Sequence, residues 1–288
     1  MSDLIEQYRG QWIQHGPDND RIYLMDLKLD RTEEVSTLLD GLTALARDRG
    51  YGKIFARAPG SRSKAFLGKG YRREGVVRGL YGGREDGVFL SLYLDPRRSR
   101  DEHRIRRLKV LSEANRLRVR ETPAPDPGVQ IRRMHPGDGP AMADLYRRVF
   151  DSYPFPILDS GYLARTMEEE ATRYFGAFVD GELVALSSAE TDRVNRCAEM
   201  TDFATLPDVR GRSLARRLLH RMEEDLAGEG FLTFYTIARA LSPGINRVFA
   251  RSGYRYGGTL INNTQIGGGI ESMNVWSRAS GPVRPSVK

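Results

Sequence analysis

The segment running from Cys197 to Leu226 limits the possible folds more than any other part of the chain. A strand-like run, Cys197 to Leu206, breaks at Pro207 and passes through Val209-Arg210-Gly211-Arg212. It then enters a stretch in which Leu214, Leu218, Met222 and Leu226 recur at helical spacing. At such a strand–turn–helix junction the first backbone N–H groups of the helix have no intrahelical acceptor, and the helix dipole adds partial positive charge there. The junction is therefore expected to bind an anion, a phosphate above all.

With 288 residues, 40% of them hydrophobic and 29% charged, the chain is long enough for two cores and has the composition of a globular protein. Its one cysteine, Cys197, excludes an internal disulfide and a cysteine zinc site, and fits a reducing cytoplasm. The histidines, His15, His103, His135 and His220, lack metal-ligand spacing, so no metal is expected. No apolar run approaches the ~18 residues of a membrane span, and the acidic start Met-Ser-Asp-Leu-Ile-Glu does not read as a signal peptide. We therefore expect a cytoplasmic protein with no membrane partner. The net charge of +7 is concentrated around Arg97–Arg120. Ile105, Leu108, Leu111 and Leu117 recur there at near-helical spacing, so the arginines are expected on the wet face of an amphipathic helix, without nucleic acid as a partner.

The three prolines and closing glycine of Glu121–Gly128 mark a linker. This divides the chain into an N-terminal unit with a basic helical connector (1–120), the linker (121–128), a main domain (129–280) and a tail (281–288). In the main domain the pattern predicts a strand over Val129–Met134 and a helix carrying Met142, Leu145, Tyr146 and Val149. Next come a rigid loop, Asp151–Pro156, a helix over about Ser160–Glu170, and a hairpin of Tyr174–Val179 with Glu182–Ser187 closed by Asp180-Gly181. The strand–turn–helix junction and a buried strand, Phe231–Ile237, follow. The N-terminal unit repeats part of this order. Gly50–Ala58 with Phe66-x-x-x-Gly70-Tyr71-Arg72 echoes Gly230–Ala240 with Phe249-x-x-x-Gly253-Tyr254-Arg255. The helix before the first copy, about Thr32–Arg49, is introduced without a glycine turn, so the N-terminal unit is a half-repeat lacking the anion loop. Its expected role is structural, packing beside the main sheet or closing over a pocket.

Arg210-x-x-Ser213-x-Ala215 resembles the acyl-coenzyme A signature of the GCN5-related N-acetyltransferases (GNAT). Residues Ala198–Pro207, Tyr235–Ser242, Gly253–Thr264 and Glu271–Trp276 resemble more narrowly the beta-lysine N-acetyltransferases, through nearly the whole chain. The resemblance implies an α/β fold with the three-layer, mixed-sheet GNAT architecture in the C-terminal domain, preceded by a partial GNAT-like half-repeat. It implies acetyl-CoA as co-substrate and transfer of acetyl to the side-chain amine of β-lysine, giving a compatible solute, with lysine 2,3-aminomutase as pathway partner. It implies cofactor contacts at Thr205, Leu206, Arg210, Gly211, Arg212, Ser213, Leu214, Ala215, Ser242, Asn246 and Phe249. Ser213 stands where the family pattern has glycine, and its Cβ is expected to be tolerated at negative φ, with the hydroxyl free to cap the helix or bind phosphate. Other readings are an acetyltransferase for protein lysine or a polyamine, and a non-catalytic acyl-CoA sensor. A homodimer is compatible with all of them.

An alkylammonium acceptor must lose a proton before it attacks a thioester, so the chemistry calls for a carboxylate near the amine. Glu199 and Asp202 are the candidates, Glu199 as base and Asp202 as anchor of an ammonium. Simple alternation puts them on opposite faces of the strand unless a bulge intervenes. Phe249 occupies the position where relatives carry a tyrosine that protonates the leaving thiolate. Tyr254 or Tyr235 then substitutes, or the thiolate leaves into water. Acceptor contacts are expected from Tyr153 and Phe155, with Arg239 and Asn262 or Asn263 for a carboxylate, and Asp151, Asp202 or Glu271 for a second ammonium.

Overall fold

The computed structural model describes residues 3–121, 123, 124 and 126–280. The expected tail, 281–288, lies outside them, as do Thr122 and Pro125 of the linker. The N-terminal unit contains β1 (Leu4–Tyr8), β2 (Gln11–Gly16), β3 (Arg21–Leu24), α1 (Thr32–Asp48), β4 (Lys53–Pro59), α2 (Ser63–Gly68), β5 (Arg72–Tyr81) and β6 (Glu85–Tyr93). A connector helix α3 (Arg104–Asn115) leads to β7 (Gln130–Arg133), α4 (Gly139–Val149), α5 (Ser160–Glu168), β8 (Thr172–Val179), β9 (Glu182–Asp192) and β10 (Cys197–Thr205). The chain continues through α6 (Leu214–Gly228), β11 (Thr233–Arg239), α7 (Pro243–Arg251), β12 (Arg255–Ile266) and β13 (Gly269–Ala279).

All these strands join one mixed sheet in the order β1-β2-β3-β4-β6-β5-β12-β13-β11-β10-β9-β8-β7. Outward from the middle, where β5 meets β12, the two sides follow the same order and each holds one parallel pair, β3–β4 or β10–β11; β7 adds one further strand at the C-terminal edge. Each half has its own core. In the N-terminal half the stripe Val35, Leu38, Leu39, Leu42 and Ala46 of α1 covers Ile22, Leu24, Ile54 and Leu90. In the other half α4 to α7 close over Phe175, Leu186, Met200 and Phe234. A third cluster belongs to both halves. Phe55, Val77 and Phe89 pack with Cys197, Tyr235, Leu260 and Val275, and the Phe89 and Tyr235 rings lie 6.3 Å apart. One face of each half-sheet is therefore turned toward the other.

The connector helix differs from its sequence pattern. Its buried face is Arg107, Val110, Leu111 and Ala114, whereas Ile105 is 86% exposed and Leu108 is also exposed. Arg107 displaces the expected stripe because Asp101 (2.7 Å) and Thr259 (3.1 Å) satisfy its guanidinium inside the fold. Leu111 and Ala114 consequently join the C-terminal core.

Candidate active site

The parallel ladder of β10 and β11 runs through Cys197–Thr233, Ala198–Phe234 and Glu199–Tyr235 and then stops. At Asp202, where φ is +54°, a bulge shifts the register of β10 against β9 between Thr201 and Ala204. β10 stays with β9, β11 stays with β13 as far as Arg239, and a fork opens between them. The resulting cleft has a volume of ≈ 700 Å³. Thr201, Asp202, Phe203 and Thr205 form one wall and Thr236–Arg239 the other, with Tyr153 beyond the end of α4 covering the space.

The mouth of the cleft is the strand–turn–helix junction. A short 3-10 turn, Pro207–Val209, and Gly211 at φ +91° bring the chain into α6, whose first residues Leu214, Ala215 and Arg216 line the opening beside Ser213. Their N–H groups lack helical acceptors. Contrary to the expected negative φ, Ser213 is left-handed at φ +59°, ψ +23°, and its side chain makes no capping hydrogen bond. Arg210, Arg216 and Arg251 add positive charge around the opening, while Arg247 beside them is paired with Glu113 at 3.1 Å. Free helical N–H groups and these three arginines together suit the phosphates of coenzyme A.

Glu199 occupies the last rung before the strands part. Burial pushes its carboxyl up to about 7, against the pull of hydrogen bonds from Tyr235 and the Ile237 amide and of the nearby Arg57 guanidinium. Asp202 is buried at 6% exposure and accepts from Tyr153 Oη (2.6 Å), Ser188 Oγ and Thr201 Oγ1 (3.3 Å). Burial raises its carboxyl, and these hydroxyls oppose the rise. The bulge supplies the exception to alternation: it turns Asp202 into the cleft beyond the rung that carries Glu199.

Glu199 is not among the residues that line the cleft and stands on the last rung of the ladder, where the fork begins. Of the residues singled out from sequence, Tyr153, Asp202, Thr205, Arg210, Gly211, Ser213, Leu214, Ala215, Arg239 and Ser242 line the cleft. Others do not. Asn246 is fully buried and donates to the Arg239 and Ser242 carbonyls while accepting from Asn274 and Trp276, so nothing remains for the pantetheine arm. Phe249 lies in the core behind Phe203, and Tyr254 packs edge-on against it at 4.9 Å. Neither reaches the cleft. Leu206 is largely buried in the same core. Arg212 turns away to Asp126 of the linker at 3.1 Å. Phe155 lines an adjoining surface pocket with Arg147, Pro156 and Ser160, which shares only Tyr153 with the cleft. The Asn262 amide is spent on the Arg98 and Arg100 carbonyls of the N-terminal unit, and Asn263 is buried beside Thr264. Arg239 is neutralised by a two-pronged pair with Glu271 at 2.5 and 3.0 Å, and Asp151 is exposed.

Sequence reasoning missed Arg216, Arg247 and Arg251 at the mouth. Arg247 and Arg251 stand four apart on α7, a spacing that puts them on one face and was open to detection. It also missed Arg57, which reaches from the N-terminal unit to donate to Tyr235 Oη at 2.8 Å; no local pattern announces such a contact. Among the described residues no group of His, Cys, Asp and Glu side chains is disposed to hold a metal ion. No helix among them is long and apolar enough to cross a membrane.

Comparison with known proteins agrees with this geometry. The model of the acetyltransferase (GNAT) family matches residues 140–254. The chain is 34% identical over 280 residues to the beta-lysine N(6)-acetyltransferase of Methanococcus maripaludis, covering 97% of this chain and 100% of that protein. It is 32% identical to the beta-lysine N(6)-acetyltransferase of Methanosarcina mazei, over 87% of this chain and 98% of the relative. It is also 32% identical to N-acetyltransferase YodP of Bacillus subtilis, over 85% and 88%.

Proposed function

The chain belongs to the GNAT family of acetyl-CoA-dependent N-acetyltransferases, in the group of the beta-lysine acetyltransferases, and from that premise we propose that it acetylates the side-chain amine of β-lysine. The observation that carries this reading is similarity over 97% and 87% of the chain to two relatives named for that reaction, well beyond the residues that the family model matches.

In this reading the amine attacks the thioester carbonyl directly while both substrates are bound. The nitrogen–carbon bond forms, the carbon–sulfur bond breaks, coenzyme A leaves as the thiolate, and the nitrogen's second proton passes to the thiolate or to water as the amide forms. Glu199 takes the proton that the ammonium must lose, directly or through one water. A carboxyl tuned to about 7 is ionised for much of the time near neutral pH and is basic enough to accept that proton. Asp202, fixed by Tyr153, Ser188 and Thr201, holds a charge at the cleft wall that favours a cationic acceptor. The pyrophosphate rests on the amides opening α6, with Arg210 and Arg216 beside it. Phe249 and Tyr254 are packed in the core, so the thiolate departs without a proton from either; a thiol pKa near 8.5 permits this. We assign the product to osmotic protection as a compatible solute, with the acceptor supplied by lysine 2,3-aminomutase.

The test is thiol release from acetyl-CoA with β-lysine, α-lysine, spermidine and a lysine peptide, with mass spectrometry of each product. Turnover that favours β-lysine and marks its side-chain nitrogen supports the proposal. Preference for the peptide or spermidine overturns the acceptor, and acetyl-CoA binding without turnover of any amine overturns the reaction.

A further inference from the structure

We infer that Glu190 and Arg57 form a head-group subsite for the acceptor, Glu190 taking its non-reacting ammonium and Arg57, contributed by the N-terminal half, taking its carboxylate. The inference rests on the reaction proposed above.

Glu190 on β9 stands directly opposite Glu199 on β10, with both side chains on the face turned toward the N-terminal half. Like charges placed opposite each other across strands destabilise a sheet unless something compensates them. Among the described residues Glu190 makes no hydrogen bond or ion pair that would do so. Glu190 is exposed to water, and the desolvation caused by neighbouring protein, with Glu199 and Asp202, pushes its carboxyl up. Glu190 stands near the seam of the two halves, within electrostatic reach of Tyr23 of β3 on one side and of Tyr153 and Tyr162 on the other.

Arg57 supplies the opposite charge and keeps one N–H unused. Its side chain is 16% exposed; Nη1 donates to Tyr235 Oη at 2.8 Å, Asp26 stands 4.0 Å from Nη2, and Nε has no partner among the described residues. It lies within electrostatic reach of both Glu190 and Glu199. The region of the last rung thus carries an unpaired carboxylate and a guanidinium with one N–H left over beside the base. An amino acid's ammonium and carboxylate complement this pair. The opposed Glu190 and Glu199 also match two nitrogens separated by a short alkyl chain, since directly opposed side chains start about 4.5–5.5 Å apart at Cβ. A simple polyamine has nothing to offer Arg57. In this account the half-repeat without an anion loop helps to select the acceptor.

The experiment is steady-state kinetics of the full-length protein with acetyl-CoA and either β-lysine or 1,4-diaminopentane, which keeps both amines and lacks the carboxylate. Glu190→Gln is expected to raise KM for β-lysine about 10- to 100-fold, with KM for acetyl-CoA and kcat within about threefold of wild type. Arg57→Met is expected to raise KM for β-lysine by a similar factor and to leave that for 1,4-diaminopentane within about threefold. Arg57→Lys should recover part of the loss and serves as the readout if Arg57→Met is poorly folded by thermal melting. An unchanged β-lysine KM in Glu190→Gln overturns the subsite. Equal losses on both acceptors in the Arg57 variants overturn its carboxylate role. If the wild type turns over a different diamine, the β-lysine reading falls, and the same Glu190→Gln comparison on that diamine still decides the subsite.

Discussion

Gly75 and Gly258 face each other across the middle of the sheet, in the rung that pairs β5 with β12. They are equivalent positions of the internal repeat: Gly75 follows Gly70 by the same interval at which Gly258 follows Gly253. Both strands bulge just before this rung, between Arg73 and Gly75 in one copy and between Tyr256 and Gly258 in the other. A pseudo-twofold axis therefore passes between the two glycines, and the halves pair through an element each possesses. The seam brings Arg57 to Tyr235 and Tyr23 toward Glu199, which links the repeat to the site.

Gly258→Ala should damage the seam. A Cβ there would lie 2.1 Å from the Glu74 carbonyl and 2.6 Å from Gly75 Cα, at a φ of +146°. We expect a loss of about 2–5 kcal/mol in denaturant unfolding. At Gly75 the nearest atom is a Val275 methyl at 3.1 Å, so Gly75→Ala should cost about 1–3 kcal/mol, nearer the lower end. Equal tolerance of both substitutions would contradict the close-packed axis.

Much of the main domain was legible because its signals are local. The helical spacing of Leu214, Leu218, Met222 and Leu226, the Asp180-Gly181 turn and the Pro207 break each act within a few residues, and the structure has α6, the β8–β9 hairpin and the end of β10 there. The repeat was legible from Phe-x-x-x-Gly-Tyr-Arg. What stayed hidden depends on distant partners. Sequence numbering put Asn246 and Phe249 near the cofactor, but Trp276 and Asn274 consume the first and the core encloses the second. Ile105 was read as core, and the Asp101 and Thr259 partners of Arg107 reversed that face. The left-handed turn at Ser213 was missed because the residue type argues against it.

Lys53 tests the buried charge beside the seam. It is fully buried, 3.2 Å from Glu74 and 2.7 Å from the Ile261 carbonyl, and burial pushes it down to about 7 although Glu74 pulls the other way. Lys53→Met removes the ion pair but leaves Glu74 accepting from Ser91, Tyr93 and the Ile261 amide, and should cost about 1–3 kcal/mol at neutral pH. The pH response should also differ. Between about 7 and the ordinary 10.5 the unfolded chain binds a proton that the folded chain does not, so this group makes wild type more stable as pH rises through that window. The difference between wild type and variant should show that slope; a flat difference would contradict it.

The mouth of the cleft makes a paired prediction. Ser213 holds a left-handed conformation that costs a non-glycine residue about 1 kcal/mol, so Ser213→Gly should stabilise the protein by up to about that amount and leave KM for acetyl-CoA equal or lower. Gly211 at φ +91° has open space around it, so Gly211→Val strains the turn without a clash. We expect acetyl-CoA affinity to fall about tenfold or more while thermal melting shows a folded protein. Retained affinity would remove this turn from the phosphate site.

The central claim is that Glu199, at the last rung of the fork, takes the acceptor's proton. The direct measurement is the pH profile of kcat/KM for β-lysine in wild type and Glu199→Gln, followed by thiol release. Because the base works ionised and its carboxyl titrates at about 7, wild-type activity should rise with pH through about 7. Glu199→Gln should lose about 10²- to 10⁴-fold and no longer show that ionisation. A variant that keeps wild-type activity, or the same inflection near 7, would contradict the assignment.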